Sequence, residues 1–203
     1  MDLSKLANPD HPSDFAEPTS VDHAAMYADA VVTLLADGGF EQVAMGPVAR
    51  WLEQVPSAVK QRAGGREGFL RMVVGRFARR WLRWATFVPY RAAVPLRLPA
   101  EDDEVHGVRV WAVLREIAYG EARAGRPGLA ELVREAEQRE RDSMGRAFSQ
   151  AGRPLTEIEL GAVSCLVAGL RAALVRPVDP LPLHLADEIV AMVVGWLHLP
   201  PSD

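Results

Sequence analysis

With a single cysteine, Cys165, the chain cannot close an internal disulfide, which excludes a small secreted disulfide scaffold and fits a reducing cytoplasm. The neighbours of this thiol, VSCLVAGL, are apolar, so it reads as a small core hydrophobe. The five histidines, His11, His23, His106, His184 and His198, never pair at i,i+4, and no HExxH or CxxC spacing occurs. A zinc centre therefore has no sequence support. No glycine-rich loop follows a strand, and no Ser or Cys sits in a recognisable nucleophile setting. The expectation is a non-enzyme with no cofactor and no metal. No apolar run approaches the roughly eighteen residues of a membrane span. The acidic start lacks the basic and apolar segments of a signal peptide, so a cytoplasmic protein without membrane association is expected.

What is present is a composition that can bury a core: 49% hydrophobic and 25% charged residues. The net charge of −4 is unevenly spread, at −3 over residues 1–18, +3 over 19–90 and −4 over 91–203. A basic segment beside an acidic body suits a nucleic-acid head whose body is held away from phosphate.

Apolar spacing predicts helices almost throughout, and no strand alternation or internal repeat competes with it. Residues 1–20, polar and proline-punctuated, read as a disordered arm. A helix is expected from about Val21 to Asp37, with Ser20 as its cap and Gly38-Gly39 as left-handed stops. Pro47 and Pro56 sit where each opens a short helix, ending near Glu53 and Arg62. After the Gly64-Gly65 break, a long helix over 66–87 carries Phe69, Val73, Phe77, Trp81 and Trp84 on one face. Residues 88–100 are a proline-punctuated connection. Helices then follow over about 101–124, 127–151, 156–176 and 180–198, the third opened by a Thr156/Glu159 capping box.

A helix, a Gly-Gly-Phe break, two short helices and a long one over residues 21–87 resemble the TetR family of bacterial transcriptional regulators. The family's Gly-Phe corresponds to Gly39-Phe40, its Ile-Ala to Val48-Ala49, its recognition-helix Leu to Val59, and its Lys-Glu to Arg66-Glu67, followed by Phe69-Leu70. Ala44, Val55, Lys60 and Ala63 depart from the Thr, capping Ser, Tyr and Phe seen in the family. The small Ala63 calls for compensating packing from Trp51 or Phe69.

The resemblance implies an all-α protein with a helix-turn-helix DNA-binding domain over 21–65. An effector-binding and dimerisation domain would cover 66–203, with 66–87 as the linking helix. With Val59 inward, Ser57, Ala58, Lys60 and Gln61 face outward as candidate base contacts, and Arg50, Lys60, Arg62 and Arg66 as candidate phosphate contacts. The small-residue stripe Gly161, Cys165, Gly169 and Ala173, with Ile189, Val193 and Trp196 on the last helix, is the candidate homodimer interface. Trp81, Trp84, Phe87, Trp111, Leu114, Tyr119, Met144 and Phe148 are the candidate walls of an effector pocket, expected to be apolar and to take a hydrophobic small molecule. The expected function is a ligand-responsive repressor that binds an inverted-repeat operator in double-stranded DNA as a homodimer. The alternative is a relative that has lost operator binding and acts as a ligand-binding or protein-interaction module.

Overall fold

A computed structural model describes residues 22–86, 97–99, 101–176 and 179–197, without the side chains of residues 37, 40, 194, 196 and 197. The expected arm over 1–20, Phe87, most of the 88–100 connection and the Trp196 side chain lie outside the described residues. Among the described residues the chain is all-helical. The helices are α1 His23–Asp37, α2 Met45–Trp51, α3 Pro56–Ala63, α4 Arg66–Ala85, α5 Asp102–Arg123, α6 Gly128–Gln150, α7 Glu157–Leu174 and α8 Leu183–Leu197, with a 3₁₀ turn at Phe40–Gln42.

Local chemistry accounts for most of the boundaries. Asp22, not Ser20, caps α1, accepting from the Ala25 amide at 3.0 Å. Gly38 ends α1 in an extended conformation, φ −136°, rather than the left-handed one expected. A Cβ at Gly38 would sit 2.5 Å from Cγ of Gln42 in the following 3₁₀ turn. At the other break Gly64 ends α3 in the left-handed conformation, φ 69°, and Gly65 follows at φ 93°. Asp102, Asp103 and Glu104 fill the first turn of α5, where carboxylates meet the positive end of the helix dipole. The Thr156 capping box forms in both directions, with the Thr156 amide donating to Glu159 at 2.8 Å and the Glu159 amide donating to the Thr156 hydroxyl at 3.3 Å. That backbone donation holds the Glu159 carboxyl below its ordinary pKa.

Helix α4 organises the packing. Its buried residues Phe69, Leu70, Val73, Val74, Phe77, Ala78 and Trp81 meet α1 on one side and α6 on the other. A continuous core runs from Tyr27, Val48 and Val59 through α4 to Trp111, Leu114 and Leu174. Expected head and body therefore share one apolar interior. A smaller cluster, Met144, Phe148, Val163 and Val167, joins α6 to α7.

In the N-terminal core, Phe69 is buried in the same cluster as Ala63, with its ring 5.8 Å from that of Tyr27. Trp51 is not, being 47% exposed at the end of α2. Gly68 lets α4 start directly under α3, since a Cβ there would collide with the Ala63 carbonyl oxygen.

Two stability outcomes follow. Gly68→Ala forces backbone apart and should cost about 1–3 kcal/mol, the range for overpacking, read as a lower urea midpoint. Among the described residues the buried Tyr27 hydroxyl has no hydrogen-bond partner, so Tyr27→Phe should leave that midpoint unchanged or raise it. A fall of more than about 1 kcal/mol would contradict the orphaned hydroxyl.

Candidate functional site

Two surfaces gather the chemistry-bearing residues: the outer face of α2 and α3, and a cavity enclosed by α4 to α7. On the first, Val48, Ala49, Val59 and Ala63 turn inward and are buried. The connection between α2 and α3 turns at Glu53, which has a left-handed φ of 54°. The Gln54 amide donates to the Ala49 carbonyl at 2.8 Å, and Arg62 donates to the Gln54 side chain at 2.9 Å, so the turn is tied to both helices. The resulting face leaves Arg50, Ser57, Lys60, Gln61, Arg62 and Arg66 exposed and Ala58 half-buried. Among the described residues Arg50 and Lys60 have no ion-pair partner, whereas Arg62 is held by Gln54. No side chain caps α3, because Val55 stands at the cap position, 64% exposed.

Arg66 is shared. Its guanidinium donates to Glu121 at 2.9 Å, linking the first turn of α4 to the last turns of α5. Hydrogen bonds from Arg126, then Arg66, hold the Glu121 carboxyl below the ordinary carboxylate range. A depressed carboxylate stabilises the fold above its unfolded pKa, and the contribution is lost as pH falls through the folded value. The link is therefore intact throughout neutral pH. A second link joins α1 to α5: a His106 ring nitrogen lies 2.8 Å from the Val32 carbonyl oxygen.

The cavity, about 470 Å³, opens between α5, α6 and α7. Its volume lies in the range of small-molecule sites. Trp81 and Trp111 form its floor, their rings stacked 5.5 Å apart at 17°. Phe77 extends the stack behind Trp111, 6.1 Å away at 18°. Beside the tryptophans lies a buried ion pair between Arg171 of α7 and Glu140 of α6. The other oxygen of Glu140 accepts from Trp81 Nε1 at 2.9 Å. Arg171 also donates from Nε and a terminal nitrogen to the Arg97 carbonyl, at 3.1 and 2.9 Å. Its guanidinium lies 5.1 Å from the centre of the Trp81 ring and 5.0 Å from that of Trp84.

Of the expected pocket residues, Trp81, Trp111 and Met144 line this space. Leu114 is fully buried in the main core, and Phe148 packs in the α6–α7 cluster, so neither reaches it. Trp84 is turned away, donating to Glu104 at 2.9 Å beneath the Arg97 guanidinium. Tyr119 stands outside the lining and donates to Glu137 at 3.0 Å. Burial, then that hydrogen bond, raises the pKa of its phenol. Beside this apolar floor, charged and polar side chains also stand in the walls: Arg115, Arg134, Glu137, Gln138, Glu140, Arg141 and Arg171. The packing of α5 and α7 against α6 brings these side chains to one wall, where Arg134 and Gln138 stay exposed and Glu140 is buried. Arg171 did leave a signal, as an isolated charge within the apolar run of α7. Such a charge is buried only when paired.

Cys165 is exposed at the cavity wall rather than buried as a core hydrophobe, because α7 turns it past Val163 and Val167 toward the opening. The rest of its stripe is more mixed, with Gly161 and Ala173 half-buried and Gly169 exposed. Ile189 and Val193 on α8 are half-buried, and Ile158, Leu185 and Met192 leave apolar surface exposed on α7 and α8. Among the described residues no cluster of His, Cys, Asp or Glu could hold a metal ion, and no helix is long and apolar enough to cross a membrane.

Removing one member of the buried pair strands the other. Glu140→Ala should cost about 3–5 kcal/mol in urea denaturation, while the double change Glu140→Met with Arg171→Met should recover most of that loss. Equal destabilisation in both variants would mean that poorer packing, not the stranded charge, causes it.

No protein-family model and no curated protein matches the chain. The fold is similar to the crystal structure of a protein from Streptomyces coelicolor A3(2) provisionally named a transcriptional regulator. The two share 19% sequence identity over 83% of this chain and 96% of that one, with a TM-score of 0.56. At that identity the likeness carries the all-helical fold.

Proposed function

We propose that this chain is a ligand-responsive transcriptional regulator of the TetR type, which binds an inverted-repeat operator as a homodimer and releases it when a small molecule enters the α4–α7 cavity. The observation that carries the proposal is the path of α4. One end supports α3 and bears Arg66, and the other supplies Trp81 to the cavity floor. A ligand that displaces Trp81 would act on the same rigid element that sets the position of α3. The fold likeness to a protein bearing a regulator's name supports the same reading, as does the short-helix pair with an outward Ser57, Lys60 and Gln61.

In this reading α3 enters the major groove with Gln61 and Ser57 near base edges, while Arg50 and Lys60, which have no ion-pair partner among the described residues, contact phosphates. A single head covers too little duplex for tight binding, so the exposed apolar surface of α7 and α8 is assigned to a second copy. Repression is the sign of regulation proposed, since an occupied operator excludes polymerase.

The experiment is a salt-dependent gel shift on DNA upstream of the chain's own gene, paired with a random-site selection. A retarded complex with a steep salt slope is expected. Failure to select any duplex, with the dimer intact by light scattering, would favour instead a ligand-binding module without an operator.

Arg50→Ala with Lys60→Ala should weaken binding to all sequences alike. It should also reduce the slope of log K against log salt by roughly 2, near 0.9 for each phosphate that is no longer neutralised. A change confined to one base position would reassign these residues to base readout. Leu185→Asp with Met192→Asp should give monomers by sedimentation and abolish the shift. A dimer that survives both would place the interface elsewhere.

A further inference from the structure

The lining of the cavity carries four arginines, Arg115, Arg134, Arg141 and Arg171, against two glutamates, Glu137 and Glu140. Both glutamates are already committed. The oxygens of Glu140 face Arg171 and Trp81 Nε1. Those of Glu137 face Arg115 Nε at 2.7 Å and the Tyr119 hydroxyl at 3.0 Å. Gln138 donates to Asp142 at 2.8 Å, and Ser164 donates to the Leu160 carbonyl at 2.7 Å. Among the described residues Arg134 and Arg141 alone of the charged lining groups have no ion pair. They lie seven residues apart on α6, which returns them to the same face two turns along, about 10 Å in rise. A cation entering this space would meet no uncommitted carboxylate, whereas an oxyanion would meet two guanidiniums whose planar donor forks match it. Below them the stacked Trp81 and Trp111 offer an apolar, ring-sized floor.

We infer that the cavity takes a small amphipathic oxyanion, with an apolar ring body against Trp81 and Trp111 and its negative head at the opening between Arg134 and Arg141. This deepens, and rests on, the ligand-responsive function proposed above. It adds an anionic head to the hydrophobic effector that the sequence suggests: the apolar part supplies contact area, and the head supplies selection. The head group is defined by its charge and acceptor geometry, which a carboxylate and a sulfonate share.

The test is calorimetric titration of the full chain, without DNA, with four naphthalene probes: the 2-carboxylate, the 2-sulfonate, the 2-carboxamide and 2-naphthylmethylamine. Quenching of tryptophan emission serves as a second readout. Both anions should bind at least tenfold more tightly than the carboxamide, and the amine should be the weakest. Preference for one anion over the other would settle the head group. In Arg134→Gln with Arg141→Gln, the anion affinities should fall to that of the carboxamide, whose own affinity should not change. Ala168→Trp, which fills the space from α7, should abolish binding of all four. Equal binding of anion and carboxamide, retained anion preference in the arginine variant, or no binding of any probe to a chain folded by circular dichroism would each overturn the inference. Binding retained in Ala168→Trp would overturn it too. Because the titration contains no DNA, its failure leaves the operator proposal standing. A failed gel shift with anion selectivity intact rejects the operator alone.

Discussion

The Arg171–Glu140 pair is the interaction on which the interior is arranged. Removing a guanidinium and a carboxylate from water costs several kcal/mol for each ion, so neither is tolerated inside a protein unless its hydrogen-bonding capacity is met. Here the requirement draws four parts of the chain to one point. Glu140 comes from α6, Arg171 from α7, Trp81 from α4, and the Arg97 carbonyl from the segment before α5. Trp81 acts twice, donating its indole N–H to Glu140 and offering its ring to the Arg171 guanidinium. An apolar contact in the same place would be non-directional and could slide. The ion pair, with the Met144, Phe148, Val163 and Val167 cluster, constrains the distance and rotation of α6 against α7.

Helix α4 transmits that arrangement along the molecule. Its Phe69, Leu70 and Val73 belong to the interior shared with α1 and α3, and Phe77 and Trp81 to the interior shared with α5 and α6. Gly68 brings its start into backbone contact with the end of α3, while Arg66 reaches Glu121 on α5. A change in the tilt of α4 would therefore be felt at α3 and resisted at Glu121. In the proposed function a ligand can shift DNA affinity only by its different affinity for two positions of this helix. The α4 tryptophan on the cavity floor is where such a difference would arise.

The helical pattern, the positions of Pro47 and Pro56, the capping box at Thr156 and the inward Val59 were all legible in the chain, because each depends on residues within one or two turns. The same is true of the exposed Ser57, Lys60 and Gln61. Other features were not local. Trp51 and Phe69 look equally able to offset the small Ala63, yet Phe69 is buried against Tyr27 while Trp51 is 47% exposed. Leu114 and Phe148 have the composition of pocket residues and sit in solid core, while Arg134, Glu137 and Arg141 have that of a solvated face and line a cavity.

The sequence by itself determined the all-helical class, the short-helix pair and the order of the elements, since periodicity, capping and turn chemistry are short-range. Only the tertiary structure decided that Glu140 belongs to Arg171, that Arg66 belongs to Glu121, and that Arg134 and Arg141 line the cavity. Those partners lie 31 and 55 residues apart. Which charge a buried group meets depends on how helices rotate against one another, and apolar periodicity sets that rotation too loosely to place a single guanidinium.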